Sequence, residues 1–553
     1  MKGKKCFRIF TSMNLAKTIF PILFLIYALS LAVTLGFAQQ HSTESSLGQV
    51  NFPISGSTVA QSKFNRGLAL LHHMMYAQAE KEFKALSELE PDCPMAYWGI
   101  AMTLFHPLWA QPSEAELRRG WAAVEKAQAL KPSTERERSY IAAVAAFYKD
   151  WKTIDHGKRI AAWEAAQEKI YKANPDDIDA GAFYALAHLA TAPKGDKTFK
   201  HQQEAGALLE MLQTKASEHP GLFHYIIHAY DNPMLASRAV EVARAYDKLA
   251  PDVPHALHMS SHIFIRLGLW ADSIDWNVRS AAAAKRHSIG GMTSLHYTHA
   301  MDYLMYAYLQ RGQDKMAADV LHQINTVENY QDSFASAYGI AAAQARYNLE
   351  RRQWDDAAAL PVRTHSAFPW AKYPWFESIT YFARGLGATR SGDTAAAQKA
   401  IETLDTFYEH AVNAGQDYWS VQVDAQRKTL AAWLAFSEGK KEQALRIMRE
   451  AAVLEDSVDK HPVTPGAVLP ARELLGDMLV LLDKPNEAID AYEASLEISP
   501  NRFNSLYGAG HAAELAGDGP KAKSYYSKLV QLTTGVDSGR PRIRQAKAFL
   551  AQN

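Results

Sequence analysis

Cysteine is nearly absent from this chain, with two thiols in 553 residues. One of them, Cys6, sits in an N-terminal stretch expected to be removed, which leaves Cys93 unpaired and excludes a disulfide scaffold. Net charge is absent as well: 59 basic side chains balance 59 acidic ones. That excludes a supercharged nucleic-acid binder, and a 48% hydrophobic content excludes disorder. β-Branched residues do not gather into alternating runs, whereas Ala, Leu, Glu, Lys and Gln recur with helical periods. The expected fold class is therefore all-α. Familiar motifs are missing too. There is no Gly-x4-Gly-Lys-Ser/Thr loop, no Gly-x-Ser-x-Gly elbow, no His-Glu-x-x-His, no Cys-x-x-Cys-His and no EF-hand loop, so no familiar nucleotide, hydrolase or haem chemistry is signalled.

The N-terminus has the form of a targeting segment. Lys2, Lys4, Lys5, Arg8 and Lys17 make a basic leader without an acid, and an uncharged run follows from Ile19 to Ala38. Gly36 and Ala38 stand at −3 and −1 of a cut before Gln39. Residues 1–38 read as an export signal, with an uncleaved membrane anchor as the competing reading because the run is long enough to cross a bilayer. Either way, the chain from Gln39 onward is expected outside the cytoplasm. Cleavage leaves 54 positive against 59 negative charges, which disfavours nucleic acid and anionic membrane surfaces as partners. Any membrane contact then depends on an uncleaved leader. Residues 39–57, rich in Ser, Gln and Gly, read as a linker.

A repeat runs through the rest. Gly476, Ala488, Tyr492 and Pro500 stand at offsets of 12, 4 and 8, and Gly510, Ala522 and Tyr526 repeat the first three after 34 residues. Gly67, Ala79, Phe83 and Pro91 carry the same offsets near the other end, and Gly385 with Ala397 and Ala432 with Ala444 are partial copies. A small residue on the first helix of a pair permits close approach of the second, whose Ala is expected to fill the gap while the aromatic reaches the next pair. Glycine turns such as Ser437-Glu438-Gly439-Lys440 separate the two helices. With a period of 34, the chain resembles tetratricopeptide-repeat proteins. The resemblance implies an α-solenoid of antiparallel helix pairs whose concave groove binds a protein segment or peptide. The expected organisation is a degenerate repeat region over 58–380 with a His-rich groove, regular repeats over 381–536, and a terminal helix or tail over 537–553.

The middle of the chain concentrates histidine. Three blocks hold His224, His228 and Asp231, then His255, His258 and His262, then His296 and His299. On helices, the first set falls at i, i+4 and i+7, the second at i, i+3 and i+7, and the third at i and i+3. Each makes one stripe. Blocks about one repeat apart are expected to lie side by side and converge on one groove wall. Three readings stay open. Imidazoles at i and i+4 can chelate a transition metal such as Zn, Cu or Fe, with Asp231 as a further ligand or as acceptor for a ring N–H. The histidines can instead be half-buried groove residues bonded to carbonyls or tyrosines, or an acid/base or organic-ligand cluster. A bound metal with an open position makes a metalloenzyme the alternative to a binding scaffold. The same block is similar to a bacterial family of exported tetratricopeptide proteins with a His-Tyr-x-x-His-Ala-Tyr-Asp stretch before a His-Ala-x-His-Met-x-Ser-His-Ile-Phe stretch. That likeness, over about residues 60–320, implies a shared site and names no chemistry.

Other candidates carry less weight. His72, His73 and His106 read as chance neighbours of the groove, and Arg266 as a solvated residue. Tyr297, Asp302 and Tyr303 are positioned to orient imidazoles. Trp98, Trp109, Trp121, Trp151 and Trp163 read as repeat core or groove lining. The run Asn174-Pro175-Asp176-Asp177-Ile178-Asp179 reads as a repeat turn and helix cap rather than a calcium loop.

Overall fold

Helices begin where the sequence supplies a cap. Ser57 accepts a hydrogen bond from the Ala60 N–H at the start of Thr58–His72. Ser113 with Glu116 and Thr134 with Glu137 close capping boxes. Pro94, Pro220 and Pro254 each occupy the first helical position, where the missing N–H costs nothing. In the computed structural model such signals open many of the 25 α-helices among the described residues, which are accompanied by two short 3₁₀ helices. Residues 46–193, 195–536 and 538–552, with Met1 and Gly3, are the ones described. The leader and its cleavage site therefore lie outside them, as does the 39–45 part of the expected linker. No helix among the described residues is long and apolar enough to cross a membrane. The β-bridges among the described residues are isolated ones, at Ile289–Met292 and Thr293–Tyr330.

The chain from Leu47 onward forms one unit, an all-α solenoid of antiparallel helix pairs. Its repeat grammar acts differently from the expected Ala-in-gap packing. A Cβ built on Gly67 would meet the Phe83 ring at 2.8 Å, and one on Gly99 would meet the same ring at 2.3 Å. Tyr492 lies in the same way between Gly476, at 2.7 Å, and Gly508, at 2.3 Å. Each aromatic of a second helix is thus clamped between glycines of its own pair and the next, and the buried Ala79 and Ala488 pack beside that clamp. At Gly439 the backbone turns with φ near +80°, the left-handed conformation that favours glycine.

The linker ends early. Gln49 donates its backbone N–H to the Glu218 carbonyl at 2.8 Å. Phe52 is fully buried, its ring centre 5.1 Å from that of Phe64 and 4.7 Å from that of Tyr140. Phe52 thus anchors the stretch before the first helix, while Gln49, Asn51, Pro53, Gly56 and Ser57 around it stay exposed.

The superhelix is tight enough to touch itself. In an open solenoid each repeat meets only its neighbours. Here the His224 ring of helix Pro220–Tyr230 reaches the carbonyl of His72, 152 positions earlier. The Trp270 indole donates to the Asn501 carbonyl, 231 positions later. The loop between helices Lys441–Glu455 and Ala471–Leu481 folds back over the middle of the chain and brings Asp459, Lys460 and Thr464 against it.

Candidate metal centre

The three histidine blocks fall on helices Pro220–Tyr230, Pro254–Arg266 and Leu295–Gln310, which pack side by side. Their seven rings form one contiguous array. Ring centres lie 4.8 Å apart for His224–His228, 5.0 Å for His224–His255, 5.1 Å for His255–His296, 5.0 Å for His258–His262 and 4.0 Å for His258–His299. All are buried except His228, which is half-buried. Within the array, candidate ligand atoms converge in two groups: His258, His262 and His299, and His224, His228 and His255. In each group these atoms lie within 4.8 Å of one another. His296 borders the array without joining either group.

Hydrogen bonds fix which nitrogens face inward. In helix Trp270–Arg286 the Asn277 amide donates to the Ser273 carbonyl at 2.7 Å, so its oxygen is the atom 2.7 Å from His258 Nδ1. His258 must donate from Nδ1. His262 Nδ1 lies 2.8 Å from Asp231 Oδ2 and donates to that carboxylate. The remaining nitrogens, Nε2 of both rings, face each other at 3.1 Å. A proton between them would make an imidazolium, and the surroundings disfavour one. Burial holds His258 well below the ordinary histidine pKa, and it lowers His262 despite the opposing pull of Asp231. Neither Asp231 nor Asp459 has spare charge: Arg266 bonds Asp231 Oδ1 at 2.8 Å and Asp459 at 2.9 Å, and Lys460 bonds Asp231 Oδ2 at 2.7 Å.

Asp231 is therefore not a free ligand, as one expectation had it, but an acceptor behind His262. Burial alone would raise its pKa, yet Lys460 and Arg266 hold it well below the usual carboxylate range. Arg266, expected in solvent, is 4% exposed, because the returning loop supplies the second carboxylate that a buried guanidinium needs. Tyr303 lies 3.4 Å from His262 Nε2, with the carbonyls of Pro462 and Thr464 within 3.2 Å of its hydroxyl. Tyr297 turns away from the array, its ring beside Lys285, and Asp302 pairs with Arg346 at 3.1 Å. Trp109 is more than core: its ring stands over His255 at 5.1 Å and His299 at 6.0 Å.

His72 is no chance neighbour either. Its Nε2 lies 2.9 Å from Asp179 Oδ1, which also lies 3.2 Å from His219 Nε2. Tyr225 hydroxyl lies 3.0 Å from His72 Nδ1. Asp177 does cap helix Ile178–Ala190 as expected of the acidic run, but Asp179 is buried between two imidazoles. His106 stays apart, bonded to the Thr103 carbonyl at 3.0 Å. Asn277 escaped the sequence reading, although a signal existed: it continues the stripe Trp270, Ser273, Ser280, Ala284 on the buried face of its helix, where a polar residue needs a partner. Lys460 left no local signal.

Outside the array, a hollow of about 450 Å³ is lined in part by Arg266, Lys460, Thr464, Tyr338, Trp375 and Trp419. It shares Arg266 and Lys460 with the layer behind His262.

No family model matches the sequence, and no curated protein does. Solved structures of low identity do align. Yeast Tom70 is 13% identical, with 89% of this chain and 96% of that one covered at a TM-score of 0.28. The APC/C hetero-tetramer Cut9–Hcn1 is 12% identical, covering 89% and 97% at 0.28. The human IFIT1 dimer with m7Gppp-AAAA is 13% identical, covering 87% and 96% at 0.37. Superpositions that loose carry no argument about function. The fold assignment rests on the helix pairs themselves.

Proposed function

We propose that this chain is an exported solenoid that holds a transition-metal ion through His258, His262 and His299. The observation that carries the reading is the pair of Nε2 atoms facing each other at 3.1 Å, each ring locked from behind by Asn277 or Asp231. Two lone pairs at that distance repel unless a Lewis acid lies between them. For metal–nitrogen bonds of about 2.0–2.1 Å, a 3.1 Å separation corresponds to an angle at the ion of roughly 95–102°, between the octahedral and tetrahedral values. The locked second nitrogens are the usual support of metal-bound imidazoles. Zn, Cu and Fe all suit the donor set. Three protein ligands leave a fourth position open, which also supports the metalloenzyme reading. The scaffold role belongs to the hollow beside the array, whose Trp375, Trp419 and Tyr338 suit the side chains of an extended protein segment. Export rests on the basic and apolar leader.

The test is metal analysis of the purified chain after chelator stripping and reloading. One ion bound through this group is expected, and its loss in His258→Leu and His262→Leu with helicity retained. Protein that stays metal-free with Zn, Cu, Fe and Ni alike, and melts at the same temperature with and without them, overturns the reading. N-terminal sequencing of exported material tests the leader.

A further inference from the structure

The second group of imidazoles has its own signature. His224 is fully buried and donates from Nδ1 to the His72 carbonyl at 2.7 Å, while its Nε2 makes no hydrogen bond within the protein. His228 Nε2 is likewise buried without a partner. His255 is fully buried, and neither of its nitrogens is bonded. A buried nitrogen without a partner is costly, and here three residues that carry such atoms each bring a ring nitrogen within 4.8 Å of the others. His73, buried nearby, does the opposite: it places its Nδ1 2.9 Å from the Tyr246 hydroxyl and its Nε2 3.0 Å from the Leu47 carbonyl.

We propose that His224, His228 and His255 bind a second ion, so that the solenoid carries a paired centre with three imidazoles for each ion, and that the metal is copper as Cu(I). The two groups adjoin: His228 and His262 ring centres lie 6.1 Å apart, and those of His255 and His258 6.2 Å. The pairing rests on the reading of His258, His262 and His299 given above; the second group does not. Charge selects the metal. All six ligands are imidazoles, and Asp231 is held by Arg266 and Lys460. Two divalent ions would place four uncompensated positive charges in a buried site, and two Cu(I) ions place two. Imidazole suits copper. Trp109 over His255 and His299 closes the site on an apolar face.

The experiment is anaerobic Cu(I) loading of the full chain against a chromophoric Cu(I) chelator, with stoichiometry read by elemental analysis. Two equivalents are expected in the native chain, and one each in His255→Leu, His228→Leu and His262→Leu. The metal-free His255→Leu protein is expected to melt at or above the native temperature, since it loses only unpartnered nitrogens. A single equivalent that His255→Leu and His228→Leu both leave in place overturns the second site and spares the first. No copper in any form, with two equivalents of zinc in the native chain, overturns the metal assignment. No metal of any kind overturns both readings. Metal-free His255→Leu melting well below the native chain, with copper uptake unchanged in His228→Leu, shows a packing role and overturns the proposal.

Discussion

Two buried polar clusters in this protein resemble each other in composition of space and differ in saturation. Around Arg502, which is fully buried, every guanidinium nitrogen has an acceptor: Glu473 at 3.0 Å, Glu350 at 2.8 Å and the Tyr306 hydroxyl at 2.9 Å. Asn504 and Ser505 then bond the same carboxylates. Around His255, a few helices away, nitrogens from three residues face one another without a hydrogen bond. The first cluster fastens the C-terminal repeats to the middle of the chain. The second does no fastening that its bonds can explain, and that deficit is what the proposed second ion would fill. Most buried polar groups in a stable fold have a partner, so three unpartnered imidazoles side by side ask for one.

The comparison breaks most sharply at Arg502. Arg502→Ala leaves Glu350 and Glu473 as buried, partly uncompensated carboxylates, and a loss of about 3–5 kcal/mol is expected in denaturant unfolding. A loss below about 1 kcal/mol would mean that saturation is not what separates the two clusters. Acid provides the next test. Burial lowers His72 to about 4 and His73 to about 3, from 6.5. The unfolded chain therefore binds protons that the folded one refuses as pH falls below 6.5, and stability is lost through that window toward pH 4. Each such histidine removes about 1.4 kcal/mol per pH unit, so metal-free protein is expected to melt progressively lower between pH 6.5 and 4.5. A flat profile would show those imidazoles to be solvated. The smallest effect sharpens the array itself. Asn277→Leu leaves His258 Nδ1 without its acceptor, and metal affinity is expected to fall about 10- to 100-fold, with the helical fold kept and a stability loss of about 1–3 kcal/mol. Unchanged affinity in competition titrations would show that His258 needs no lock.

Much of this was legible before any coordinates. The spacing of Gly67, Ala79 and Phe83 and its echo at Gly476, Ala488 and Tyr492 announced helix pairs, because a repeat of 34 residues is a local packing solution written into the chain. The histidine blocks announced stripes, since helical periodicity alone puts His224 with His228 and His258 with His262 on one face. What misled was residue-by-residue polarity. Arg266 looked solvated and Phe52 fell within the expected linker, because nothing near them in sequence shows Asp459, Lys460 or the rings that enclose Phe52. His72 and Asp179, 107 positions apart, could not be joined by any spacing rule.

The sequence by itself determined the helix pairs and the grouping of imidazoles on shared faces, because these depend on a short repeat and on neighbours within one or two turns of the chain. Only the tertiary structure decided which nitrogens are capped and which are bare. That outcome depends on carbonyls, carboxylates and cations delivered from 150 to 230 positions away, and on the removal of water by a superhelix that closes on itself. Desolvation acts through space, and no local pattern encodes it.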